Sequence, residues 1–312
     1  MGVTMKIKDL FQKDIHRKIE EVIKVDQTDQ ETVKNELEEY IVTDSIKNNY
    51  LRVLDAYNSA RTSLTEGIGV WVSGFFGSGK SSFAKNLGYI LANREVLGEK
   101  ASELFSSQVN DAKITNLLKV INTSLPTHAV IFDVSMDRGI RTASERITEV
   151  MYKALLRELD YSEDFDLADL ERGLELDGLL KEFEKRFGEE FKKPWRKRRK
   201  IGRSFNEASA ILHKMDPKTY PQADSWVRSL GVKDENGDFK GRADISANRL
   251  AELSFELMAR RQPGKVLIFI IDEVGQYVSR SVDKMLDLQA IVQAFGREGK
   301  NRVKAKQAIA ST

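Results

Sequence analysis

The chain of 312 residues contains no cysteine. That excludes a disulfide framework, a thiolate zinc site and a cysteine nucleophile. Histidine is scarce as well: His16, His128 and His213 lie far apart in sequence, which argues against a histidine-rich metal site. Long apolar runs are missing too. The longest purely aliphatic or aromatic stretch, residues 266–271, has six residues, against the ~20 that cross a bilayer. The first eleven residues carry Lys6, Lys8 and Asp9 and no apolar signal core, and Lys6 stands where a myristoylation motif wants Ser or Thr. The expected compartment is the cytoplasm, with no membrane partner. Neither sign of charge dominates: 50 Lys and Arg face 48 Asp and Glu, a net charge of +2. Any affinity for nucleic acid must therefore come from a local basic patch.

What is present suffices for a sizeable core: hydrophobic residues make up 41% and charged residues 31%, so the chain is not disordered throughout. At about 150 residues per domain the length suggests two domains, or one domain with a large insertion. Residues 1–66 read as an N-terminal arm with short apolar steps, followed by two helices. Thr28 and Glu31 have capping-box spacing for the first helix, and Val33, Leu37, Tyr40 and Ile41 would form its buried stripe. A second helix is expected over 44–63. Residues 69–73 form a short β-prone run, followed by a helix with Phe83, Leu87, Ile90 and Leu91 on one face. Residues 98–126 read as helical, 129–134 as a second strand and 142–160 as another helix. Residues 266–271 are the strongest strand, and a helix carrying Met285, Leu288, Ile291, Val292 and Phe295 follows.

Residues 74–81 match G-x-x-x-x-G-K-[ST] in full: Gly74, Phe75, Phe76, Gly77, Ser78, Gly79, Lys80, Ser81. The match lies between a strand-like run and an amphipathic helix, the setting in which this motif cradles phosphates. Glycines let backbone N–H groups wrap an anion, and the helix N-terminus adds unpaired donors. Lys80 would reach the β- and γ-phosphates of ATP. Ser81 would ligate Mg²⁺, and Ser82 completes the nucleotide-binding segment. A second carboxylate for magnesium stands at the end of the 266–271 run: Asp272 would hold the metal through water and Glu273 would polarise the attacking water. Taken alone, the same pair reads as a strand with an acidic cap. Asp133, ending the second strand, reads either as lying near this site or as a strand-terminal cap.

Lys80 and Asp272 are 192 positions apart, far more than one strand and helix need. The excess predicts a mainly helical insertion over 157–262, between core segments 67–156 and 263–312. Its first part is acidic, with 13 Asp and Glu over residues 158–190. Eight cations follow within residues 192–203: Lys192, Lys193, Arg196, Lys197, Arg198, Arg199, Lys200 and Arg203. This run has two readings. It could contact the phosphate backbone of double-stranded DNA, with Trp195 stacking on a base. Alternatively it pairs with the acidic stretch before it or forms a solvated face.

Residues 5–27 (MKIKDLFQKDIHRKIEEVIKVDQ), 69–91 (GVWVSGFFGSGKSSFAKNLGYIL) and 266–278 (VLIFIIDEVGQYV) together resemble the N-terminal region of the P-loop ATPase (BrxC) family of bacterial BREX phage-defence systems. Phe75 and Phe76 inside the loop and the arm ending Val25–Asp26–Gln27 carry the more specific part of the likeness. The resemblance implies an α/β P-loop NTPase fold of the ASCE/AAA+ type with ATP and Mg²⁺ as cofactors. Lys80, Ser81, Asp272 and Glu273 match the family's nucleotide-site positions. It further implies a homo-oligomer when full length, and partners in a defence complex that include methyltransferase and phosphatase-like components. One departure stands out. This class of sheet carries a sensor strand after the helix that follows Glu273, and residues 300–312 hold no strand-like run. The expectation is a chain truncated at that point, its sheet incomplete and its ATPase activity weak. The competing expectations are a protein-interaction fragment and a signalling NTPase.

Overall fold

The computed structural model describes residues 7–10, 24–25, 28–59, 68–134, 146–200, 204–230, 245–279 and 281–304. It is an α/β protein, mostly helical, with a parallel sheet of two strands. Helix α1 (Gln30–Glu38) starts at Asp29, whose carboxylate accepts the Thr32 N–H at 2.9 Å. Asp29, not Thr28, is thus the cap; its side chain sits one residue nearer the donors left open by the first turn. Val33 and Leu37 are buried as the stripe predicts. Ile41 is 81% exposed, because α1 ends before the stripe reaches it. Helix α2 (Asp44–Ser59) buries Tyr50 and Leu54, and residues 60–63 of the predicted helix lie outside the described residues. Most of the predicted arm lies outside them as well.

Helix α3 (Lys80–Leu91) buries Phe83, Leu87, Ile90 and Leu91, the expected face. A short hairpin follows, β1 (Glu95–Val96) against β2 (Glu99–Lys100), where the periodicity predicts helix by residue 98. Leu97 and Gly98 both take positive φ at its tip, as a two-residue hairpin turn requires. Helices α4 (Ala101–Val109) and α5 (Ala112–Ser124) complete this layer, α5 capped by the Asp111 carboxylate. Strand β3 (Thr127–Asp133) comes next, then α6 (Ile147–Glu158).

The expected insertion divides in two. Helices α7 (Phe165–Leu176), α8 (Leu180–Phe191), α9 (Trp195–Arg198), α10 (Ser204–Met215) and α11 (Ser225–Ser229) share a core of their own around Phe183, Phe187, Trp195, Ile211 and Trp226. Helix α12 (Ala247–Arg261) instead packs with the sheet. Strand β4 (Val266–Asp272), α13 (Val274–Val278) and α14 (Val282–Lys304) close the described chain.

Strands β3 and β4 run parallel, Thr127 opposite Val266 and Asp133 opposite Asp272. Alternation sends Ala129, Ile131, Ile268 and Ile270 to one face, against α3 and the N-terminal helices. Val130, Phe132, Leu267, Phe269 and Ile271 face α6, α12 and α14. The sheet is thus covered on both sides, as parallel strands require. Gly88 makes the first contact possible: a Cβ there would stand 2.7 Å from Ile131 Cδ1 and 2.8 Å from Ile270 Cδ1. Lys85, buried on the same helix, donates to the Lys24 carbonyl at 2.8 Å and pairs with Glu36 at 2.5 Å, tying α1 to α3.

The strand predicted over 69–73 does not form. This stretch has no ladder partner among the described residues, and Val70 and Trp71 are each 63% exposed. Strand backbone is held by a neighbouring strand that takes its N–H and C=O groups, and the described neighbour of β4 is β3 alone. No helix among the described residues is long and apolar enough to cross a membrane.

Candidate functional site

The glycine loop enters α3 directly. Gly79 is the residue before the helix, at φ 82°, and Gly77 lies at φ 76°. Both sit in the left-handed region, where an L side chain costs about 1–2 kcal/mol. Gly74 is required for space instead: a Cβ there would meet Ser78 Oγ at 2.6 Å. The loop is closed on itself by the Ser78 N–H donating to the Phe75 carbonyl at 3.2 Å. Lys80 Nζ donates to the same carbonyl at 2.8 Å. The ammonium is therefore held across the loop it would share with a phosphate. Ser81 and Ser82 occupy the first turn of α3, half-buried. Phe75 and Phe76 point outward, the first 91% exposed and the second wholly so.

The direction of α3 follows from two contacts. Past its C-terminus, Arg94 donates to the Ala129 carbonyl, in the first half of β3, at 2.6 Å. Nearer the middle of the helix, Gly88 touches Ile131 and Ile270, toward the strands' C-terminal ends. The helix therefore runs against the strands. Lys80 lies eight residues before Gly88, about 12 Å of helix, so the glycine loop stands at the end where β3 and β4 finish. Asp133 and Asp272 terminate the two strands there, in register.

Asp272 accepts the Glu273 N–H on its own Oδ1 at 2.9 Å. Glu273 has φ 57°, a left-handed residue between β4 and α13. Its carboxylate accepts from Gln276 Nε2 at 2.6 Å. Gln276 has no counterpart in the sequence reading; its spacing of three from Glu273 at a helix start is the signal that could have found it. Tyr277 anchors the other side of α13, its buried hydroxyl accepting the Ile147 N–H at 3.1 Å. The turn that carries Glu273 is thereby fixed to α6. For a divalent cation, the described residues form no group of three or more carboxylates and histidines. A magnesium ion that keeps its waters and takes phosphate oxygens needs only one or two protein oxygens, and Ser81 and Asp272 fit that demand.

No family model matches the chain, and no solved structure matches it. The candidate site therefore stands on its own residues.

The basic run is placed differently from the strand ends. Trp195, read as a stacking residue, is 1% exposed in the α7–α11 core, and its Nε1 donates to Glu171 at 2.6 Å. Arg199 is buried, donating to Glu171 at 2.8 Å and to Asp160 at 2.8 Å. Arg196 pairs with Asp160 and Glu184, and Arg198 pairs with Glu207 through two nitrogens. Arg196 and Arg199 meet carboxylates of the preceding acidic stretch, as in the second reading of this run, while Arg198 meets Glu207, which follows it. Four short links onto one buried carboxylate and its neighbour are a fold constraint, which is why Trp195 cannot stack on a base. Lys192, Lys193, Lys197 and Lys200 remain on the surface. Arg203 lies outside the described residues.

Proposed function

We propose that this chain is an ATP-binding P-loop module of the ASCE/AAA+ type, belonging to a bacterial phage-defence complex of the BREX kind that acts on DNA. One observation carries the nucleotide part: a complete G-x-x-x-x-G-K-S loop opens α3 at the end of the sheet where β4 runs into Asp272 and Glu273. On this reading Lys80 leaves the Phe75 carbonyl for the β- and γ-phosphates, and the loop N–H groups take the anion. Ser81 and Asp272 would hold Mg²⁺, which supplies charge neutralisation at the phosphates. Glu273, released from Gln276, would accept the proton of the attacking water. The defence-complex part rests on the resemblance in residues 5–27, 69–91 and 266–278.

Isothermal titration with ATP and Mg²⁺ tests the reading. Wild type is expected to bind at one site and Lys80→Ala to lose binding, with an unchanged circular dichroism spectrum. Equal affinity for both chains overturns the assignment. A second reading draws on the exposed Val70, Trp71, Phe75 and Phe76: a protein-interaction module that binds no nucleotide. The same titration separates the two.

A further inference from the structure

A cleft of about 490 Å³ opens between the loop after α6 and Arg196, Arg199, Lys200, Ser204 and Phe205. It takes no residue from the glycine loop or from β4. Four cations border it: Arg157, Arg196, Arg199 and Lys200. The carboxylates on the same walls are already engaged. Asp160 is held by Arg196 and Arg199, Glu163 by Arg157 at 2.8 Å, and Asp164 by the N–H groups of Asp166 and Leu167, which it caps.

What remains is a set of donors. Ser204 is 1% exposed, and its hydroxyl has no hydrogen-bond partner among the described residues. Arg199 is 8% exposed, and its Nε has none among the described residues either. Lys200 makes no hydrogen bond or close ion pair among the described residues. Ser204 also opens α10, a helix of 12 residues whose first N–H groups have no partner within the helix. Buried polar groups are nearly always satisfied, so the orphaned Ser204 hydroxyl on the cleft wall calls for a ligand atom. Burial, then the neighbouring Arg199 and Arg261, lower the pKa of Arg196. Arg157 foremost, with Lys200 and Lys153, holds the Glu163 carboxyl below its usual range. Arg157, Arg196 and Arg199 already face carboxylates, so Lys200 is the cation on these walls left for a ligand. A tetrahedral dianion offers acceptors to a hydroxyl, an ammonium and a helix start together.

We propose that this cleft binds the phosphoryl group of a small phosphorylated molecule, with Lys200, Ser204 and the first turn of α10 as its donors. Leu167 and Phe205 supply an apolar wall for the rest of the ligand. The site stands independently of the ATP reading.

Titration with inorganic phosphate at fixed ionic strength tests it, in the Lys80→Ala chain so that the glycine loop cannot contribute. One phosphate site is expected to persist in that background. Lys200→Gln, an exposed substitution, is expected to weaken it about tenfold or more, the scale of one charge-assisted bond. Ser204→Ala should weaken it several-fold while leaving the melting temperature without phosphate unchanged or higher, which a structural role for the hydroxyl would not produce. Competition by glycerol 3-phosphate alone assigns a small ligand, and competition by a short DNA duplex assigns a backbone phosphate. No binding in Lys80→Ala, or binding untouched by both substitutions, overturns the proposal.

Discussion

Gly88 and Gly79 are single residues whose missing side chains do different things. At Gly88 the obstacle to a methyl is two isoleucine tips, which can rotate away, while alanine in a helix gains about 0.5–1 kcal/mol over glycine. Gly88→Ala is therefore expected to unfold within about 1 kcal/mol of wild type in urea. Gly88→Leu would force the helix off the sheet and cost about 1–3 kcal/mol, the usual price of overpacking. At Gly79 nothing stands near a Cβ, but φ is 82°, so Gly79→Ala strains the backbone regardless of space. Its effect should fall on anion binding, because the loop N–H groups lose their alignment. Glu273 has a different signature. If it prepares the water, Glu273→Gln keeps ATP affinity and stops phosphate release; unchanged release would move that role elsewhere.

Strand β3 carries a titrating residue where an element is least tolerant of charge. Burial foremost, then the charges of Arg94 and Lys265, lower the His128 pKa to about 4, and its buried Nε2 has no partner among the described residues. The imidazole is thus neutral in the folded chain, while the unfolded chain takes up a proton near the usual 6.5. Between those values the unfolded state binds more protons, so stability falls as pH falls from about 6.5 to about 4. The loss is on the order of 3 kcal/mol at a shift of this size. His128→Gln should remove that portion of the acid sensitivity, read as urea midpoints at pH 7 and pH 4.5; an unchanged slope would place the acid-labile group elsewhere. Glu171 titrates in the opposite sense. Burial raises its carboxyl, against the pull of Arg199, so the folded state holds the proton longer and stability falls as pH rises from the ordinary carboxylate range to the raised value. Arg199→Ala breaks the buried pair and is expected to cost about 3–5 kcal/mol.

At the scale of the molecule the charges of residues 192–203 separate into two populations. Arg196, Arg198 and Arg199 hold the insertion to its own acidic helices, so their joint replacement by alanine should lower stability. Lys192, Lys193 and Lys197 are exposed, and replacing them with glutamine should leave the melting temperature unchanged. If the surface contacts DNA, only the lysine variant changes duplex binding without unfolding, flattening the salt dependence by up to ~0.9 per lost phosphate contact. A wild-type chain that does not bind duplex DNA removes that role from the run. Turnover is also a property of the whole. Among the described residues no strand stands on the far side of β4, so the polar residue of a sensor strand is missing there, and the described neighbour β3 offers Asp133 alone. Phosphate release by this chain is expected to be very slow, with Lys80→Ala as the control; robust release lost in that variant would show the site complete without such a strand.

The sequence by itself determined the parts governed by local rules. The glycine loop and α3, β3, β4 and the Asp272–Glu273 end are written in contiguous residues: positive-φ glycines, a 3.6-residue apolar period, and continuous apolar runs for strands buried on both faces. The hairpin at 95–100 was hidden because two residues a side leave no period to detect. Only the tertiary structure decided the rest. Residues 69–73 have the apolar pattern of a strand and do not form one, because a strand exists through its neighbour. Trp195 and three arginines look, in sequence, like a nucleic-acid patch. Trp195 and Arg199 became a buried link, and Arg196 an ion pair, because Glu171 and Asp160, 24 and more residues upstream, were folded against them, while Arg198 meets Glu207 downstream. A charge run states how many cations there are; which of them meet water and which meet a carboxylate depends on partners distant in the chain.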